Sequence, residues 1–173
     1  MKQILLLRHM QTQYNVQGIL QGRRDIPILP PGPDQQVAID ENLKKIGSES
    51  NYTHVLASSL KRTWMTAKLY VNDYTVEPLL DELDFGEWEG KKKEEMILAH
   101  PMWTERPDLL TLGEPLLDLE KRVRTFLIKY ESAPSLLVFG HGAWIRALLS
   151  VHRFGSIQNM NKIIAPNNKL FFL

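Results

Sequence analysis

The stretch Ile4-Leu5-Leu6-Leu7-Arg8-His9 constrains the chain most. Four apolar residues in a row, with no polar alternation, read as a strand buried on both faces, and the run ends abruptly in a cation and an imidazole. A strand of that kind needs helices on both sides of its sheet. Open α/β sheets bind ligands just beyond the carboxyl ends of their strands, which places Arg8 and His9 at a pocket rim rather than in the core. Taken alone, the pair reads equally well as a surface Arg-His after a core strand. What gives it force is a second strand end far downstream.

That second end is Ser135-Leu136-Leu137-Val138-Phe139 running into Gly140-His141-Gly142, followed at once by a helical pattern through Ala143, Trp144, Ile145, Ala147 and Leu148. An imidazole is thereby set beside the exposed N–H groups of a helix start, a natural place for an anion. Between the two ends, strands alternate with helices. Pro33 and Asp34 open a helix with apolar positions Val37, Ile39, Leu43 and Ile46, closed by Gly47. His54–Ala57 reads as a short buried strand, and Ser58-Ser59 as the cap of a helix over Leu60–Tyr70 that carries Arg62 in its first turn. Tyr74–Leu80 is expected as a third strand, Lys91–His100 as a helix, and Leu116, Leu119, Val123, Phe126, Leu127 and Tyr130 as the stripe of an amphipathic helix. Lys169–Leu173 reads as a last strand at an edge. The pattern predicts a three-layer α/β/α fold with a mostly parallel central sheet.

Composition narrows the chemistry. The 173 residues suit one domain, residues 1–173, with a small irregular cap over about 86–113. Lysine plus arginine number 21 against 20 acidic residues, so the net charge of +1 makes no electrostatic case for nucleic acid or a membrane surface. Affinity for phosphate must come from local placement. The absence of cysteine removes disulfide scaffolds, thiolate metal sites and cysteine-nucleophile mechanisms. The start of the chain runs directly into the first strand without a charged leader, a cleavage site or a membrane-length apolar stretch, and a cytoplasmic protein is expected. The polar segment Gln11–Gly32 reads as pocket wall, and Asp81–Gly90, five carboxylates interleaved with Leu83, Phe85 and Trp88, as a shaped loop.

These blocks together resemble the histidine phosphatase superfamily, which includes the phosphoglycerate mutases. The first signature reads Leu-Leu-Arg-His-x-x-Thr-x-x-Asn (Arg8, His9, Thr12, Asn15) and is followed by Gln21-Gly22-x-x-Asp25. Ser59–Thr63 with Thr66-Ala67, Asp81–Gly90, Gly113-Glu114 with Asp118 and Arg122, and Val138–Gly142 with Ile145-Arg146 follow in family order. The resemblance implies a phosphoglycerate mutase-like fold and a phosphohistidine mechanism. His9 would be the nucleophile, with a neutral ring and a free lone pair. Arg8, Arg62 and His141 would surround the phosphoryl oxygens, Asn15 and the Gly142 N–H would be further donors, and Thr12, Gln21 and Gly22 would complete the phosphate and substrate site. Glu82 would protonate the leaving oxygen and then deprotonate water. Neither a metal nor any other cofactor is implied, and the partner is a small phosphorylated substrate.

Three departures bear on activity. Met10 stands where the family usually has glycine, Gln11 where glutamate is common, and Pro115 where serine is common. A long thioether next to the nucleophile is expected to crowd the phosphate, which raises the alternative of a catalytically weakened phospho-ligand binder. On that reasoning Met10→Gly raises turnover. The short span from Glu82 to His141, without the longer basic insertion of the mutases, favours a phosphatase over a mutase-type phosphotransferase, and Gln21-Gly22 resembles the phosphatase branch.

Overall fold

The structure is a computed structural model that describes residues 3–173. Its strands are β1 (Gln3–Arg8), β2 (His54–Ala57), β3 (Thr75–Val76), β4 (Ser135–Gly140) and β5 (Leu170–Phe172). They form one sheet in the order β3-β2-β4-β1-β5, parallel throughout except for β5, which runs antiparallel along the edge of β1. The helices are α1 (Gln13–Gln17), α2 (Pro33–Ile46), α3 (Lys61–Ala67), α4 (Lys93–Ala99), α5 (Leu116–Lys129) and α6 (Gly142–Phe154).

The two-residue period of a strand explains why β1 has no polar position. Leu5 and Leu7 join Leu137 and Phe139 of β4 on one face, against Ile39 and Ile46 of α2 and Ala67 of α3. Ile4 and Leu6 join Leu136 and Val138 on the other, against Leu119, Val123 and Phe126 of α5 and Ala147 and Leu148 of α6. Leu5, Leu6 and Leu7 are all fully buried, as the uninterrupted run requires. The arrangement is the expected three-layer α/β/α sandwich with a mostly parallel sheet.

Several elements differ from the sequence reading. Val37 is exposed, and α2 buries Ile39, Asn42 and Ile46 instead. The third strand is only Thr75–Val76, because Pro78 has no N–H for a ladder and opens a 3₁₀ turn through Leu80. α3 is shorter than expected, with Leu60 at its cap position. Ser58 Oγ accepts the Leu60 N–H at 3.2 Å and also meets His141, while Ser59 bonds Asp81. The segment over 86–113 holds α4 between 3₁₀ turns at Gly86–Trp88, Pro101–Trp103 and Pro107–Leu109, pinned by the buried Met96 and Trp103. Among the described residues no helix is long and apolar enough to cross a membrane.

Candidate active site

The site follows from strand register. Arg8 of β1 lies opposite Gly140 of β4, and the His9 N–H continues the ladder to the Gly140 carbonyl at 3.0 Å. Residues 9 and 141 therefore leave adjacent strands at their carboxyl ends. Their rings meet edge to face, with centroids 5.4 Å apart. A cavity of about 200 Å³ opens beside them, lined among others by Arg8, His9, Asn15, Arg62, Glu82 and Gly142.

His9 is held for nucleophilic use. Its Nδ1–H donates to the Met10 carbonyl at 2.6 Å, which fixes the tautomer and leaves the lone pair on Nε2. Burial, then the charges of Arg62 and Arg8, hold its pKa well below the usual histidine value. The ring is neutral at neutral pH.

Arg62 crosses from α3 to the cavity almost wholly buried, and its anchors are backbone carbonyls. Nη2 donates to Gly22 at 2.6 Å, Nη1 to Arg24 at 2.8 Å, and Nε to His141 Nδ1 at 3.2 Å. Gly22 has φ +51°, and a Cβ there would stand 2.0 Å from Glu89 Oε1. Only glycine lets this turn offer its carbonyl to Arg62. Burial lowers the pKa of Arg62 to about 10 and that of Arg8 likewise to about 10, the latter with help from Arg146; both remain cations. Gly142 allows Arg8 to lie against the start of α6, since a Cβ would come within 3.0 Å of the Arg8 Cζ.

His141 is held on both ring nitrogens. Its Nδ1 accepts from Arg62, so its Nε2–H donates to Ser58 Oγ at 2.7 Å. Burial first, then Arg62, keeps its pKa well below the usual value. With both ring nitrogens engaged, His141 supports Arg62 from behind and does not line the cavity. The helix start is also already occupied. Glu82 takes the Ala143 N–H at 3.1 Å on Oε2, and the Trp144 N–H at 3.1 Å and Leu83 N–H at 2.9 Å on Oε1. The first N–H groups of α6 are thus satisfied by a side chain of the protein, fixed at the cavity wall.

The remaining predicted residues divide in two. Asn15, Gln21 and Gly22 line the cavity, whereas Thr12 is fully buried and acts by positioning. Thr12 Oγ1 accepts the Asn15 N–H at 3.2 Å and donates to Gln21 Oε1 at 2.7 Å. Asn15 Oδ1 receives the Thr12 N–H at 3.1 Å and Asn167 Nδ2 at 3.3 Å. Its carbonyl edge is thereby committed to protein donors. The Nδ2 edge is the one left for a ligand in the cavity.

Met10 overturns the steric expectation. Its side chain is 1% exposed and packs with Leu7, Ile39, Ala67, Tyr70 and Phe139 on the α2 face of the sheet, away from the cavity. Alternation along the extended chain explains this: a residue adjacent to one that faces the site points away from it. Its N–H donates to Thr66 Oγ1 at 2.8 Å, and its carbonyl holds His9.

Sequence reasoning left several site residues unassigned. Arg146, one turn beyond Gly142 on α6, lines the cavity, and that i,i+4 spacing was a usable signal. Lys93 and Trp103 also line it, the former concealed in a lysine run. Asn167 donates to the His9 carbonyl at 3.0 Å, a contact across 158 positions that no local pattern announces.

The model of the histidine phosphatase superfamily, branch 1, matches residues 4–171. The chain belongs to the histidine phosphatase superfamily. Among other superfamily members, a protein of Hydrogenobacter thermophilus named as a phosphoserine phosphatase is 29% identical over 96% of this chain and 86% of its own length. A protein of Enterobacter sp. named as a phosphoglycerate mutase is 29% identical over 87% of this chain and 74% of its own. The fold of a mycobacterial glucosyl-3-phosphoglycerate phosphatase, solved with VO3, superposes with a TM-score of 0.82 at 23% identity, covering 99% of this chain and 92% of that one. This histidine phosphatase therefore has both phosphatase-named and mutase-named relatives.

Proposed function

We propose that this histidine phosphatase is a phosphomonoester hydrolase that works through a phosphohistidine on His9 and needs no metal. The observation that carries the reading is the neutral His9 ring, its Nε2 lone pair free, in one cavity with the guanidinium groups of Arg8 and Arg62 and the carboxyl of Glu82.

Nε2 of His9 attacks phosphorus and forms the P–N bond as the ester P–O bond breaks, and Glu82 in its acid form gives its proton to the departing oxygen. Charge gathers on the phosphoryl oxygens during transfer. Arg8 and Arg62, fixed before the substrate arrives, offset it without reorganisation. Water then attacks phosphorus, Glu82 takes its proton, and the P–N bond breaks to return neutral His9 and orthophosphate. General acid–base assistance of this kind is worth roughly 10²–10⁴-fold.

The choice of hydrolysis over mutase-type transfer rests on the short chain between Glu82 and His141, which leaves little material to shelter the phosphoenzyme from water. The buried course of Met10 removes the steric ground for an inactive protein. The substrate class is a small phosphorylated metabolite, in keeping with the phosphoserine and phosphoglycerate named for the relatives. Hydrolysis of p-nitrophenyl phosphate in the presence of a chelator tests the proposal. It expects activity that survives the chelator and vanishes in His9→Ala. Loss on chelation, or activity that persists without His9, overturns it.

A further inference from the structure

We infer that Arg122 is a positioning residue for Glu82, its guanidinium clamping the irregular segment that carries the acid–base carboxyl. The inference rests on the proposed role of Glu82 and deepens it.

The tip of Glu82 is held by α6, through the Ala143 and Trp144 N–H groups, each at 3.1 Å. The backbone beneath it has no such frame. Residues 81–85 lie in neither helix nor strand, between the 3₁₀ turns Pro78–Leu80 and Gly86–Trp88. A general acid must stay within hydrogen-bond reach of the leaving oxygen, and a misplacement of about 1 Å can lower a rate by about 10²-fold. This segment therefore needs an anchor of its own.

Arg122 supplies it from α5, a helix fixed by the fully buried Leu119, Val123 and Phe126. Its Nη1 donates to the Asp81 carbonyl at 2.7 Å and to the Leu79 carbonyl at 3.2 Å, and its Nη2 reaches the Glu82 carbonyl at 3.5 Å. Nη2 also donates to Glu114 Oε1 at 2.7 Å. That carboxylate carries the clamp past Glu82 on the other side. Its Oε1 accepts the Asp84 N–H at 3.0 Å, while the Gly113 and Glu114 N–H groups donate to the Asp84 carbonyl at 3.0 and 3.1 Å. Arg23, next to the Gly22 that anchors Arg62, closes the ring with Asp81 at 3.3 Å and Glu114 at 3.7 Å.

An ion pair alone would need only the Glu114 oxygen. Three of the four bonds of Arg122 go instead to the main-chain carbonyls of residues 79, 81 and 82, and a planar fork spans them together with a carboxylate. Arg122 does not line the cavity, so its influence on the reaction passes through Glu82.

Two esters of nearly the same shape separate positioning from a merely structural role. Phenolate is a much stronger base than p-nitrophenolate, so phenyl phosphate needs the proton of Glu82 and p-nitrophenyl phosphate hardly does. The ratio kcat/KM reports the reaction up to the departure of the leaving group. Arg122→Lys keeps a charge opposite Glu114, but one ammonium cannot reproduce the fork. Its kcat/KM should fall about tenfold or more for phenyl phosphate and less than about threefold for p-nitrophenyl phosphate, part of the roughly 10²–10⁴-fold that general acid catalysis supplies. Glu82→Gln should show the same selectivity more strongly. Should Arg122→Lys not fold, Glu114→Gln weakens the hold on Nη2 while leaving the Asp84 N–H an acceptor, and the same selectivity is expected of it. Equal losses on the two esters, or none, while Glu82→Gln stays selective overturn the clamp and leave the acid in place. A Glu82→Gln protein without selectivity refutes the general-acid reading, and the clamp with it.

Discussion

Met10 offers the sharpest separation between a sequence-based argument and a structural one. Its side chain is 1% exposed in the cluster beneath the nucleophile loop, so truncation to alanine leaves a cavity rather than clearing the phosphate site. Methionine-to-alanine changes in such cores cost about 2–5 kcal/mol, against a total stability of roughly 5–15 kcal/mol. At about 2–4 °C per kcal/mol for a chain of this size, the melting temperature of Met10→Ala should fall by roughly 5–20 °C. Glycine adds about 0.5–1 kcal/mol of backbone freedom at the residue whose carbonyl orients His9, so Met10→Gly should be worse still and also slower. Met10→Leu, nearly volume-conserving, should cost less than about 1.5 kcal/mol. Differential scanning calorimetry and initial rates per folded molecule measure both effects. An unchanged melting temperature with a higher rate in Met10→Gly would show that the thioether obstructs the site after all.

Other expectations follow from the network around the two histidines. Ser58→Ala removes the acceptor of the His141 Nε2–H in a fully buried setting and should cost about 1–3 kcal/mol while loosening Arg62; urea denaturation and the KM for phosphoester measure it. Asn167→Ala frees the amide of Asn15 and the His9 carbonyl, so kcat should fall more than KM rises; a normal kcat would disprove its positioning role. His9 and His141 both have folded pKa values below that of the unfolded chain. The unfolded state therefore takes up protons near pH 6.5 that the folded state refuses, so stability is full above that pH and declines as pH falls through it. The loss approaches about 1.4 kcal/mol per pH unit for each histidine, and His141→Asn should flatten the slope seen in denaturation from pH 7 to 5.

The sequence was most informative where chemistry and periodicity coincide. The unbroken Ile4–Leu7 run could only be a doubly covered strand, and both strand ends delivered their histidines to one place because Arg8 and Gly140 share a register. Patterns failed where a side chain's direction depends on distant partners. Ser58 takes the Leu60 N–H at the helix entry as a cap would, yet it also holds His141, and Ser59 turns to Asp81. The motif around His141 announces no bond to Arg62, yet the backbone course of Gly22–Arg24 anchors Arg62 so that its Nε reaches the His141 ring. Lys93 is indistinguishable from Lys91 and Lys92 in the sequence, and only the fold brings it beside Arg8 and Arg146.

The central claim is that His9 becomes covalently phosphorylated. Rapid quenching at alkaline pH during turnover of a phosphoester, followed by mass spectrometry of the peptide that contains residue 9, should reveal a phosphoryl group on His9 that is lost in acid. A protein that turns over substrate while His9 stays unmodified, or that carries the label on another residue, would contradict the account.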